Sequence, residues 1–114
     1  MLDLELDRVL HALADPTRRS MVERISAATA LSATGLAEPM DISLAAVVQH
    51  LKILEECGVI RTEKIGRIRS CRLQPEALSL VASWMHERRR LWELKFDRLG
   101  ELLADDPADE SESS

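Results

Sequence analysis

The 114-residue sequence predicts a mainly α-helical domain carrying one small β-hairpin. Three observations predict it. Apolar residues recur at three- and four-residue steps through most of the first 57 positions. A stretch rich in β-branched residues, "VIRTEKI" and "IRSCRL", follows Gly58 and is broken by Gly66-Arg67, the pattern of strand, turn, strand. A long helical pattern then returns. The expected order is four helices, the hairpin and a fifth helix.

The first helix is expected over residues 2–13, where Leu2, Leu6, Val9 and Leu13, with Leu10, form a stripe. "DPTRRSMVERISAA" opens the second, with Asp15 as cap and Pro16 at the first helical position. Met21, Val22 and Ile25 are its expected buried face. "LSATGLAEPM" reads as a short third helix, capped by Ser32 and ended near Pro39. Met40 and Asp41 make a tight link, and Ile42 plugs the core. "SLAAVVQHLKILEECG", Ser43 to Gly58, is the fourth helix. Ser43 caps its start, and Gly58 suits the left-handed residue just past its end. Leu44, Val47, Leu51 and Leu54 make its apolar face. After the hairpin, Gln74-Pro75-Glu76 starts a last helix over roughly 76–103. At about 1.5 Å per residue it is on the order of 40 Å long, more than one small core covers.

The net charge of −5 has an uneven source. The tail "DDPADESESS", residues 105–114, carries that whole excess, is polar and contains Pro107; it is expected to be disordered. Residues 1–104, the expected folded domain, are then neutral. Within them "RTEKIGRIRSCR" (61–72) holds Arg61, Lys64, Arg67, Arg69 and Arg72 against Glu63 alone. Nucleic-acid binding responds to where charge sits, so this local excess outweighs the total. No run reaches the eighteen apolar residues of a membrane span. The acidic, amphipathic "MLDLELDRVL" does not read as a signal peptide. Two cysteines without such a signal imply free thiols in a reducing cytoplasm.

The outward face of the fourth helix carries the function. It begins with Ala45, Val48 and Gln49 and reaches Lys52 only later. A solvated face would be charged from its start. Two short helices, a tight link and a basic hairpin together make a winged helix-turn-helix, whose second helix lies in the DNA major groove. Small residues there let the backbone approach the bases. Leu44 and Val48 can touch thymine methyls, and Gln49 can pair bidentately with adenine. Lys52 reaches a phosphate, and Lys64, Arg67 and Arg69 of the wing lie along the flanking backbone or minor groove. With Ser43, Ala45 and His50, these are the expected DNA-contacting residues; His50 meets a phosphate or the helix-turn-helix core. The alternative for this face is packing against another part of the protein. That would leave the basic hairpin unexplained.

"LHALADPTRRSMVERI", "LAEPMDISLAAVVQHLKILEECGVI", "GRIRSCRLQPEAL" and the pattern around Trp84 and Trp92 resemble the ArsR (arsenic-repressor-like) family of bacterial winged-helix repressors. The resemblance runs from about residue 8 to 103. It implies a homodimer built on the first and last helices, binding double-stranded DNA at an imperfect palindrome near its own promoter. Leu2, Leu6, Val9, Val81, Met85, Trp92, Phe96 and Leu99 are the expected dimer residues, since they are apolar beyond what one small core can bury. One departure matters: the family commonly has serine where this chain has Val48, so an operator sequence does not carry over.

Founding members of that family sense metal through a cysteine pair on the short third helix. Here "GLAEPM" offers neither thiol nor imidazole. The last helix offers only His86, and a transition-metal site needs about four ligands. No metal and no cofactor are expected, with a metal-responsive repressor of the same fold as the alternative, and an effector is not specified. Cys57 and Cys71 read as small buried fillers, with thiol sensing as the alternative. His11 reads as structural. Asp15 caps a helix, and Arg18 and Arg19 read as surface ion-pair residues, the alternative being a phosphate-binding helix start at which they help the approach to DNA. "ERRRLWE" (87–93) reads as the solvated flank of a dimer seam. No phosphate loop and no nucleophile–base–acid set is present, so no enzyme is expected. A winged helix used only for protein interaction is the remaining alternative.

Overall fold

The computed structural model describes residues 4–104. Leu2 and the expected disordered tail, residues 105–114, lie outside them. The elements are α1 (Leu4–Leu13), α2 (Pro16–Ala28), β1 (Ala30–Ser32), α3 (Ala33–Met40), α4 (Leu44–Glu56), β2 (Ile60–Ile65), β3 (Ile68–Leu73) and α5 (Pro75–Ala104). The chain divides into two compact units, one ending at Val81 and the other starting at Ala82.

This is a winged helix-turn-helix, with one correction to the expected order. Three residues before α3 form a strand that the sequence reading missed. β1 pairs antiparallel with β3, aligning Leu31 with Cys71, and makes a three-stranded sheet in the order β1-β3-β2. Three residues are too short for a period-2 pattern to be visible. What makes them a strand is the free edge of β3.

The "DPTRR" segment ends one helix and starts the next. Asp15 accepts a bond from the backbone N–H of Arg18 at 2.9 Å. That bond is the main cause holding its carboxyl below the usual carboxylate range. Arg18 and Arg19 then turn back on α1. The last four carbonyls of a helix lack partners within it. Arg18 Nε donates to Ala12 O (2.6 Å) and its Nη2 to His11 O (3.4 Å), while Arg19 Nη1 reaches both Leu13 O (2.8 Å) and Ala14 O (2.9 Å). Among the described residues neither arginine has the surface ion pair expected of it; Arg18 is 9% exposed. Arg24 ties α2 to α3 in the same way, donating to Leu36 O and Gly35 O.

Met21, Ile25, Leu36, Val47, Leu54, Val59, Ile60 and Cys71 are fully buried and form the core with Val9, Ala12 and Leu51. Val22 and Ile42 pack at its margin. Val9 (1% exposed) and Leu6 (7%) are thus buried within the chain itself. This corrects their expected place at a partner seam: α1 packs Leu6 and Val9 inward against α2 and α4, while Leu10 of the same stripe stays exposed. Val81 is half-buried against the same core. Residues 82–104, by contrast, bury no side chain fully.

Candidate nucleic-acid interface

Helix α4 starts where the sequence reading placed it. The Ser43 hydroxyl accepts from the backbone N–H of Ala46 at 3.1 Å. The tight link before it is closed by Asp41, whose φ of 53° ends α3 in the left-handed region. Past the far end, Gly58 takes φ 82°, as a helix-terminating glycine does. Val47, Leu51 and Leu54 point inward. Leu44 does not: it is 50% exposed, as is Val48. Its place on the apolar face is corrected. A residue in the first turn projects beyond the end of the core that Val47 reaches.

Leu44, Ala45, Val48, Gln49 and Lys52 are therefore all exposed side chains of one helix. The first four lie in its first turn and a half and carry no charge. His50 is half-buried, and its Nδ1 lies 3.4 Å from Nη1 of Arg18.

The wing folds on a two-residue turn, Gly66-Arg67, with Ile65 paired to Ile68. Gly66 has φ 65°, a value the first central residue of such primed turns requires. Side chains alternate faces along a strand, and the register sorts the wing's charges. Ile60, Thr62 and Lys64 share a face with Leu73, Cys71 and Arg69. That face is the one against α4, because Thr62 Oγ1 donates to Glu55 Oε2 of α4 at 2.9 Å. Arg69 Nη1 donates in turn to Thr62 Oγ1 at 2.9 Å. Arg61 and Arg72 lie on the opposite face, where Arg61 pairs with Glu63 at 3.0 Å. So the local positive excess divides. Lys64 and Arg69 flank the exposed side of α4, Arg67 sits at the tip, and Arg61 and Arg72 face away. A groove of about 490 Å³ lies between α4 and the wing, with Val48, Lys52, Glu55, Thr62 and Arg69 in its walls.

Two features escaped the sequence reading. Ile65 and Ile68 at the wing tip are exposed. Their β-branched type signals a strand equally well whether inside or outside, so type alone could not place them. The bond from Arg69 through Thr62 to Glu55 joins residues seven apart in two steps, and no local pattern marks it.

Both cysteines are free thiols. Cys71 is buried, and burial pushes its thiol up. Cys57 is half-buried, not the fully buried filler expected, and its Sγ–H donates to Leu54 O. It lines a cavity of about 750 Å³ with Asp7, Arg8, His11, Ile53 and Glu56, at the opposite end of α4 from its exposed small residues. Among the described residues, no three His, Cys, Asp or Glu side chains are arranged to hold a metal ion. No described helix is long and apolar enough to cross a membrane.

In the second unit, Met85, Trp92, Phe96 and Leu99 are all exposed. The rings of Trp92 and Phe96 lie 6.0 Å apart at 53°. Arg89 pairs with Glu93 and Arg90 with Glu87, both at 2.8 Å, and the Arg88 guanidinium stacks over Trp84. His86 is exposed.

Known proteins share this arrangement. A helix-turn-helix domain family matches residues 13–63. The HTH-type transcriptional regulator Rv2034 of Mycobacterium tuberculosis is 37% identical over 75 residues, 66% of this chain and 69% of that protein. The transcriptional repressor SdpR of Bacillus subtilis is 29% identical over 80 residues, 70% of this chain and 88% of that protein. Among solved structures, an ArsR family transcriptional regulator superposes with a TM-score of 0.74 at 38% identity, covering 82% of this chain and 95% of that one. An ArsR-like transcriptional regulator from Rhodococcus sp. RHA1 gives 0.74 at 26% identity, covering 86% and 92%. With this fold, these helices and these relatives, the chain belongs to the ArsR family of winged helix-turn-helix transcriptional regulators, which bind DNA and are not enzymes.

Proposed function

We propose that the protein is a dimeric repressor, acting on its own operon, that binds an imperfect palindrome through α4 and the wing. The observation that carries the reading is the exposed, uncharged start of α4 beside the two wing cations that share its side of the sheet. Ser43, Leu44, Ala45, Val48 and Gln49 meet base edges in the major groove. His50, Lys52, Lys64, Arg67 and Arg69 meet the backbone. The exposed apolar residues Met85, Trp92, Phe96 and Leu99 form the seam with a second copy. A two-fold axis then sets the two copies of α4 about one helical turn of DNA apart, roughly 34–36 Å. SdpR is named a repressor, which favours repression over activation here.

A salt titration on two duplexes tests this: the DNA upstream of the chain's own gene and a mixed-sequence control. Gln49→Ala should cost about 1–3 kcal/mol on the first and little on the second. Arg67→Ala should weaken both and flatten the salt dependence, since it neutralises a phosphate rather than reading a base. Equal losses for Gln49→Ala on both duplexes would show that α4 does not read sequence.

A further inference from the structure

The geometry points to Arg18, a residue of α2 remote from the exposed face of α4, as a positioning residue for DNA binding: its guanidinium holds Nδ1 of His50 as an acceptor and leaves the opposite ring nitrogen, as Nε2–H, to donate to a backbone phosphate. The inference rests on the proposed reading that α4 enters the major groove.

Among the described residues, Arg18 is the charged side chain that is buried. A buried charge must be paired or hydrogen-bonded. Here two arms of the guanidinium meet carbonyls at the end of α1, Ala12 O through Nε and His11 O through Nη2. The third arm, Nη1, meets Nδ1 of His50 at 3.4 Å. A guanidinium has only donors and does not lose its proton. A proton on Nδ1 would therefore point at another N–H. The contact makes Nδ1 the acceptor and so puts the ring proton on Nε2, the nitrogen on the far side. His50 is half-buried and follows the exposed Gln49 on α4, and Nε2, across the ring from Arg18, is the nitrogen left for a partner. A phosphate oxygen is an acceptor and matches a donor there. Lysine in place of Arg18 would keep the charge and lose the fork, and so release either the α1 carbonyls or the ring.

Amide side chains separate the two ring nitrogens. The amide nitrogen of glutamine reaches about as far as Nε2, and that of asparagine about as far as Nδ1. On a mixed-sequence 30-base-pair duplex at low salt, His50→Asn should weaken binding roughly tenfold, the size of one hydrogen bond to a charged group. His50→Gln should restore most of that loss. Equal affinity of the two variants, or tighter binding by His50→Asn, overturns the role of Nε2. Arg18→Lys should weaken binding in the wild-type background and add no further loss to His50→Ala. Additive losses would leave Arg18 a purely structural residue. Where Arg18→Lys does not fold, the glutamine and asparagine pair decides. A long-range 1H–15N spectrum of the DNA-free protein reads the ring directly: a proton on Nε2 is expected, and one on Nδ1 overturns the contact. If the wild type binds no duplex at all, the proposed function falls first; if it binds and only the His50 comparison fails, the function stands and this role alone is lost.

Discussion

At the scale of single residues, similar side chains have been given different work by burial. The two thiols show it. Cys71 lies in β3 against the core with its thiol pushed up by desolvation, while Cys57 stands at the end of α4 on the wall of an open cavity. Thiolates react and thiols do not. A maleimide should therefore modify Cys57 in the native protein and leave Cys71 untouched until the chain unfolds. Timed mass spectrometry of the digested protein checks this, and native labelling of Cys71 at a comparable rate would contradict the packing of β3. The arginines divide in the same manner. Sequence position suggested solvent for Arg18 and Arg19, because arginine beside a helix start is usually exposed. Arg19 is exposed as expected; Arg18 is buried, and what decided that was the need of the α1 carbonyls for donors, a demand of the preceding helix that no pattern within α2 displays.

At the scale of elements, the helices were legible because each carried its own punctuation. Asp15, Ser32 and Ser43 all cap where a capping residue precedes an apolar pattern. The hairpin was legible from Gly66. Strand β1 was not, since its three residues acquire structure only from a partner forty residues away. The interface was legible in the small face of α4, but Leu44 was not: a heptad-like spacing cannot tell where the core ends. The join between α2 and β1 carries strain. Thr29 sits at φ 71°, a value rare for a β-branched residue. Glycine takes such angles without steric cost. Thr29→Gly should therefore stabilise the protein by about 1 kcal/mol, because relief of the positive-φ strain, close to that of a γ-turn, exceeds the added chain entropy. Thermal unfolding measures it, and a lowered midpoint would mean that the threonine side chain contributes more than its backbone costs.

At the scale of the whole molecule, the balance of apolar surface is the informative quantity. The first unit exposes large apolar side chains at the start of α4 (Leu44, Val48), at the wing tip (Ile65, Ile68) and at Leu10, whereas residues 82–104 bury none fully and expose Trp84, Met85, Trp92, Phe96 and Leu99. Trp92 is 64% exposed. Burying one such ring in a seam contributes on the order of 1.5–3 kcal/mol, and a two-fold seam counts each residue twice. Trp92→Ala combined with Phe96→Ala should turn the proposed dimer into a monomer at micromolar concentration, as light scattering would show. A wild-type monomer under the same conditions would remove the dimer from the reading. Leu6 and Val9 are no longer candidates for that seam, so the same double substitution should leave the first unit folded. The way α1 ends has a consequence for how the molecule comes apart. Its terminal carbonyls are bonded by side chains that exist in place only once the first turn of α2 has formed. Neither end can fray alone. Amide hydrogen exchange should therefore show the last turn of α1 and the first turn of α2 opening as one cooperative unit, with matched protection across a junction where two adjoining helix ends would ordinarily exchange fastest.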